Sequence, residues 1–404
     1  MWKDTLLTAA KTLHEEMIGH RRWLHAHAEV GFDLFETKAY VKQTLAKMGL
    51  SPEDCGRAGI VVSIRGQHPG NVFLLRADMD ALPIPEASEE PFSSSKNMHA
   101  CGHDMHTAIL LGAARLLKEQ TENIHGTIKL MFQPAEEIFE GASDMIQSGV
   151  LESPHVDAAM MLHVSAAVPM PAGTILVSAP GVSAPAADYF KIHVQGVGCH
   201  GSAPQNGVDA ITAASHIVIA LQEIHARELS ASEEAVLTIG KISGGDAANA
   251  IADSVLLEGT LRTYDEAIRQ KIKLRLSEIA SGIASAFRAK AEISFGSSCP
   301  TLLNDKELSQ NTLCYLTELF GKNSVFSTAA LSSDGKPVRG GGSEDFAYIS
   351  QKVPSLMFAL TAGTPENGYV YPQHHPKVRF DESVLPIGAA ALTYVAMRWL
   401  EEHH

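Results

Sequence analysis

Apolar residues between Asp4 and Ala28 recur at helical spacing, with Leu6, Leu13, Met17, Trp23 and Leu24 near one face. A second helix is predicted from about Glu36 to Met48, ended by Gly49. The period then shortens. Gly59–Arg65 and Val72–Asp78 are short, nearly continuous apolar runs bounded by Gly or Asn, the pattern of buried strands. A helix from Met105 to Lys118, a strand at Gly126–Phe132, a helix near Gly141–Ser148 and a strand at Ala158–Leu162 follow. Strands alternating with helices predict an α/β core with helices on both faces of the sheet.

The pattern changes near Pro180. Gly181–Ala187 is rich in Pro, Gly, Ala and Ser and reads as a linker. Next come a strand (Tyr189–Val194), a helix (Asp209–Ala226), strands near Ala235–Ile242 and Ser254–Thr263, a long helix (Asp265–Ala289) and a strand (Ala291–Phe295). That β-α-β-β-α-β order is the ferredoxin-like split motif. From Thr301 the α/β character resumes: a helix at Asp305–Phe320, another beginning near Glu344, a strand at Ser355–Leu360 and a final helix at Glu382–Glu401. The fold class expected is therefore α/β with two domains. A discontinuous domain of residues 1–180 and 297–404 would hold an α+β insertion of residues 181–296.

Length supports that division, since 404 residues exceed one small core. The formal charge of −14 argues against nucleic acid or an anionic membrane as partner. No apolar segment of signal-peptide length follows the start, and no run is expected to span a bilayer. Five widely spaced cysteines fit free thiols in a reducing compartment, so the expected location is cytoplasmic.

Candidate chemistry concentrates at Met98–His106, which holds His99, Cys101, His103, Asp104 and His106. Cys101 and His103 are metal-ligand types separated by Gly102, which lets the backbone turn both toward one ion. The predicted strands end in polar residues: Asp78 and Asp80 after one, Gln133-Pro134-Ala135-Glu136-Glu137 after another, His163 after a third. Sites in open α/β sheets form beyond the carboxyl ends of strands. Singly, each has a bland reading as a solvated or core residue. Together, with a further histidine source at His374-His375, they predict a metal site.

These residues carry a resemblance. Leu75-Arg-Ala-Asp-Met-Asp-Ala-Leu-Pro83, His99-Ala-Cys-Gly-His-Asp104, Phe132-Gln-Pro-Ala-Glu-Glu137, Gly198-Cys-His-Gly201, Gly244-Gly-Asp-Ala-Ala-Asn249, Gly259-Thr-Leu-Arg262, Gly342-Ser-Glu-Asp-Phe346 and His374-His-Pro376 span nearly the whole chain. In this order they resemble the M20 family of metallopeptidases and amidohydrolases, in its aminoacylase, hippurate hydrolase and auxin-conjugate hydrolase branch. The resemblance implies a zinc-peptidase-like catalytic domain and a lid or dimerisation domain. It implies two divalent ions (Zn, Mn, Co or Ni) held by Cys101, His103, Glu137, His163 and His374, with Cys101 bridging. The family's His-x-Pro shape selects His374 over His375. Glu136 would exchange protons with the attacking water and the leaving nitrogen, and Asp80 would support the ligands from behind. His200 would stabilise the oxyanion, in some relatives from the partner subunit, while Asn249 and Arg262 would hold a substrate carboxylate. His99 and His106 match no ligand position.

The implied activity is hydrolysis of the amide of an N-acyl amino acid, by a homodimer or homotetramer joined through the inserted domain. Rivals are an N-acetyl-diaminopimelate-type deacetylase, a small dipeptidase, and a non-enzymatic metal or thiol binding protein on the same scaffold. Gly196-Val-Gly-Cys-His-Gly201 formally fits a dinucleotide fingerprint, but no helix opens directly after it and no acid ends a second strand. Two departures from the family bear on substrate choice. Ile138-Phe139-Glu140 stands where glycines are common, and His25-Ala-His-Ala-Glu29 stands where His-x-x-Pro-Glu is usual.

Overall fold

The computed structural model describes residues 2–332 and 338–403. The chain forms two compact units: Met1–Ser183, Leu303–Arg339 and Glu344–His404 make one, and Ala184–Leu302 with Gly340–Ser343 makes the other.

The first unit opens with α1 (Trp2–Thr12) and α2 (His14–Ala26). The apolar face expected over 4–28 is present, but the helix breaks at Leu13, whose ψ of 0° leaves the helical range. Then come α3 (Phe35–Lys47), β1 (Glu53–Cys55), β2 (Gly59–Arg65), β3 (His68–Asp78), α4 (His103–Glu119), β4 (His125–Gln133), α5 (Gly141–Gln147), β5 (Ala158–Ser165) and β6 (Ile175–Val177). The segment expected to be a linker is instead extended: β7 (Gly181–Ala184) and β8 (Ala186–Gln195) flank Pro185. Proline cannot donate to a ladder, so it sits between strands rather than within one.

β8 begins the second unit, followed by β9 (Cys199–His200), α6 (Ala210–Ala220), β10 (Ala235–Gly244), β11 (Ala250–Ile251), β12 (Ser254–Thr263), α7 (Glu266–Ala286) and β13 (Lys290–Cys299). The helix expected to reach Ala226 stops at Ala220, and a wider helical turn covers Ile224–Glu228. The chain then returns to the first unit with β14 (Leu302–Asn304), α8 (Lys306–Phe320), β15 (Val325–Ser327), α9 (Ala347–Ser350), β16 (Ser355–Thr361) and α10 (Leu385–Glu402).

In the first unit eight strands run in the order β1-β2-β4-β3-β5-β16-β6-β15. The central four, β4, β3, β5 and β16, are mutually parallel. All four therefore deliver their carboxyl ends to one edge of the sheet. Phe73, Leu74 and Leu75 are each fully buried, and α4 and α10 pack against β3. That explains its unbroken apolar run. α10 is by length and apolarity of the kind that could cross a membrane, contrary to the expectation from the sequence, but 83% of that window is buried here. It packs on α4, α8 and β3, so its apolarity is that of a core helix.

In the second unit the sheet order is β10-β12-β8-β13, all antiparallel. In chain order this places the fourth strand beside the first, then the third, then the second, which is the ferredoxin-like arrangement. α6 and α7 cover one face over Phe190, Ile192, Val194, Leu257 and Leu261. The alternation of buried and exposed residues along β8 follows from that single covered face.

Candidate metal centre

Gly102 is the first constraint on the site. It holds φ at +94°, which lets Cys101 leave its loop just as His103 starts α4. A Cβ there would meet Val164 Cγ2 at 2.5 Å, so no side chain fits. His163 lies near the end of β5, and His103 and His163 face Cys101 from different elements. Cys101 Sγ lies 3.6 Å from His163 Nε2.

The ligand atoms of Cys101, His103 and His163 lie within 4.8 Å of one another, as do those of Cys101, Glu137 and His374. Cys101 is common to both triplets. All five side chains expected as ligands therefore converge, and the shared thiol is where two ions would meet. His374 is the member of the adjacent pair that joins them: its Nε2 is 3.6 Å from Glu137 Oε1. His375 stacks on Tyr371 instead.

Neighbouring groups fix the imidazoles. His103 Nδ1 is held by the Asp80 carbonyl at 2.8 Å and His163 Nδ1 by the Val164 carbonyl at 2.7 Å. Each ring thus presents Nε2, the arrangement usual for metal-binding histidine. His103 Nε2 and Glu137 Oε1 are buried with no hydrogen-bond partner among the described residues. Buried polar atoms are nearly always satisfied, so two orphans aimed into one cluster fit a cation between them. Acidity points the same way. Asp78, Asp80, Glu136, Glu344 and Asp345 are all buried, with Arg76 as the buried cation among them.

Glu136 sits one residue before Glu137 on the turn after β4. Its Oε2 is 3.9 Å from His103 Nε2. Burial, then Glu344, Glu137 and Asp345, push its carboxyl well above the ordinary range. A carboxyl shifted toward its protonated form suits proton transfer. Asp80 supports this turn more directly than expected. Its two carboxylate oxygens accept the backbone N–H groups of Glu136 at 3.0 Å and Glu137 at 3.2 Å.

His106 and His99 stay out of the ligand set. His106 donates to Asp78 at 2.6 Å through Nδ1 and accepts the Val164 N–H at 2.9 Å through Nε2, which uses both nitrogens and ties α4 to β5. His99 is buried with no hydrogen-bond partner among the described residues, and burial lowers it to about 3, so it is a neutral packing group.

The other three expected residues belong to the second unit. His200 on β9 pairs with Ala250 on β11, and its Nδ1 is engaged by Ser202 Oγ at 2.7 Å. The Asn249 carbonyl accepts the Gly201 N–H at 2.8 Å, so His200 and Asn249 share one exposed two-stranded turn. Arg262 lies on β12 and donates to Ser343 Oγ at 2.9 Å.

Comparison with known proteins decides the classification. A family model described as Peptidase family M20/M25/M40 matches residues 74–398. The chain belongs to that family. An N-acetyl-L-cysteine deacetylase of Bacillus subtilis (strain 168) is 37% identical over 97% of this chain and 90% of its own length. An Arabidopsis thaliana protein named IAA-amino acid hydrolase ILR1-like 2 is 34% identical over 98% of this chain and 88% of its own. Among solved structures, an aminohydrolase from methicillin-resistant Staphylococcus aureus superposes with a TM-score of 0.90 at 34% identity, covering 98% of this chain and 100% of the other. A Bacillus subtilis dinuclear metal binding peptidase of the M20 family gives 0.79 at 30% identity, covering 97% and 99%. This M20 chain is a metal-binding amidohydrolase with the two-domain fold of its family.

Sequence reasoning left Arg76, Asp345 and the pairing of His106 with Asp78 without a role. Arg76 is wholly buried and bonds Gln133 at 2.9 Å, Asp78 at 2.6 Å and Asp345 at 3.0 Å. The one available signal was a pair of charged residues, Arg76 and Asp78, in an otherwise apolar buried strand.

Proposed function

We propose that this M20 enzyme hydrolyses N-acyl amino acids to a carboxylic acid and a free amino acid. The observation that carries the reading is the convergence of Cys101, His103, Glu137, His163 and His374 around a protonatable Glu136. Two divalent ions drawn from Zn, Mn, Co or Ni, when bound there, supply Lewis acidity and an acidified water. Glu136 takes the proton of the attacking water and delivers it to the leaving nitrogen. His200 steadies the oxyanion, and Asn249 and Arg262 hold the carboxylate of the amino acid, Arg262 through a charge-assisted fork. Asp80 keeps Glu136, Glu137 and His103 in place. The named activities of the Bacillus and Arabidopsis relatives support a small conjugated amino acid as substrate.

The assembly belongs to the same proposal. β10 is an open edge strand whose Val236 and Ile242 are 61% and 54% exposed, and Ile219 on α6 is 68% exposed. Such an edge with apolar flanks supports a homodimer or homotetramer built through the second unit. Five free cysteines support a cytoplasmic location.

The test is a hydrolysis screen over N-acetyl, N-benzoyl and long-acyl amino acids and dipeptides, with the metal varied and with a chelated control. The reading requires turnover of at least one N-acyl amino acid, lost on chelation and restored by metal. Glu136→Gln is expected to keep its metal and lose nearly all turnover. A variant retaining near-wild-type rate would remove Glu136 from the mechanism.

A further inference from the structure

Asp345 has no solvent exposure and lies 209 residues from Glu136 in sequence. Its Oδ1 accepts Gln133 Nε2 at 2.6 Å and Arg76 Nη2 at 3.0 Å, and its Oδ2 accepts the Ala142 N–H at 2.9 Å. Gln133 is the last residue of β4 and Ala142 lies in the first turn of α5. One carboxylate therefore ties together the two ends of the segment that carries Glu136 and Glu137. The Asp345 N–H also points at Glu136 Oε1, at 3.4 Å.

The tied segment is strained. Ala135 and Phe139, which bracket the two glutamates, hold φ at +55° and +57° without being glycine. Such backbone persists only where surrounding structure over-determines it. The Ala135 carbonyl accepts both the Glu140 and Gly141 N–H groups at 3.2 Å, which closes the loop on itself. Gly141 is wedged so tightly that a Cβ would fall 1.6 Å from the Pro134 carbonyl oxygen. The loop has a defined shape, and Asp345 is the side chain that holds both of its ends.

The Asp345 carboxylate is met by three N–H donors, two from side chains and one from the backbone, so the geometry asks for two acceptor oxygens. An amide of the same size would turn its NH₂ toward one of those donors and leave a buried donor facing a donor.

We infer that Asp345 is a positioning residue for Glu136, acting by clamping the ends of the 133–142 segment so that the Glu136 carboxylate stays beside the ligand cluster. The inference rests on the reading of Glu136 as the proton-transfer group. Asp345 touches no substrate; it acts through the loop.

The experiment compares wild type, Asp345→Asn, Glu136→Gln and the double variant, each loaded with the same divalent metal and assayed on N-acetyl and N-benzoyl amino acids. Metal content and thermal midpoint are measured alongside. Asp345→Asn is expected to bind the full complement of metal, keep KM within about threefold and lose about 100-fold in kcat. In the Glu136→Gln background the same change is expected to cost less than about threefold, because the group it positions is already gone. A purely structural role would lower the residual rate by the same factor in both backgrounds, and that result overturns the inference. Wild-type kcat in Asp345→Asn, or a defect cured by excess metal, overturns it equally. If Asp345→Asn does not fold, Gln133→Met removes one tie and is expected to cost about tenfold in kcat with the same non-additivity. Should Glu136→Gln turn over at the wild-type rate, the reading of Glu136 falls and takes the inference with it. Should Glu136→Gln be inactive while Asp345→Asn is not, only the inference falls.

Discussion

His25 is a residue whose chemistry reaches beyond its own contacts. It is buried between Asp104 at 2.8 Å and Glu86 at 3.0 Å, with Arg21 also on Asp104. Burial works against the charged ring, but the charge of Asp104 and the hydrogen bonds that the ring donates to Asp104 and Glu86 outweigh it and raise His25 to about 9; Arg21 opposes the rise. The folded value lies above the unfolded one, so the stabilisation is complete below about pH 6.5 and is lost as pH rises through about 9. Thermal melts of wild type and His25→Gln between those limits should show a difference that shrinks toward alkaline pH. A difference independent of pH would mean that the ring contributes packing and not charge. At this scale the sequence was legible where chemistry is local. Cys101, Gly102, His103 and Asp104 are consecutive, and Glu136 adjoins Glu137. Asp345 was not legible, because its partners Arg76 and Gln133 lie 269 and 212 residues away. No local period records a contact of that range.

Among the elements, long strands and helices were readable from their periods, and β12 was delimited without error. Three-residue strands such as β1, β6 and β15 were missed because they are too short to show a period. The extended run through Gly181–Ala187 was misread for the opposite reason: its composition is that of a turn, but its backbone pairs. Glycines offer the sharpest test of the loops. Gly102→Ala forces a side chain into Val164 with φ at +94°. The expected outcome is a loss of roughly 1–3 kcal/mol in stability together with weakened metal binding. Equilibrium unfolding and metal titration of this variant check both effects. Gly149→Ala is the control: its φ of +87° is also left-handed, but a Cβ there meets nothing within 4 Å, so metal binding should be untouched.

For the whole molecule, ions bound to the folded site alone would stabilise the first unit by mass action, about 2.7 kcal/mol per site at a hundredfold excess over Kd. Calorimetry with Zn or Mn added, and then with a chelator, should move the transition of the first unit and leave that of the second in place. Movement of both, or of neither, would place the ions elsewhere.

The interrupted course of the first unit has a consequence for synthesis. Its sheet cannot be completed by a chain still being made, because β16, which pairs with β5, follows the entire second unit. His374 emerges later still. Until then β5 presents an unpaired, largely apolar edge, and Cys101 and His163 wait without their last companion. A ribosome that stalls before Ser355 would release a chain with a finished ferredoxin-like unit and a half-built sheet, sticky at its edge and bearing an uncommitted thiol. Such a chain would be a substrate for chaperones and proteases, and the metal would be the last component to enter the enzyme.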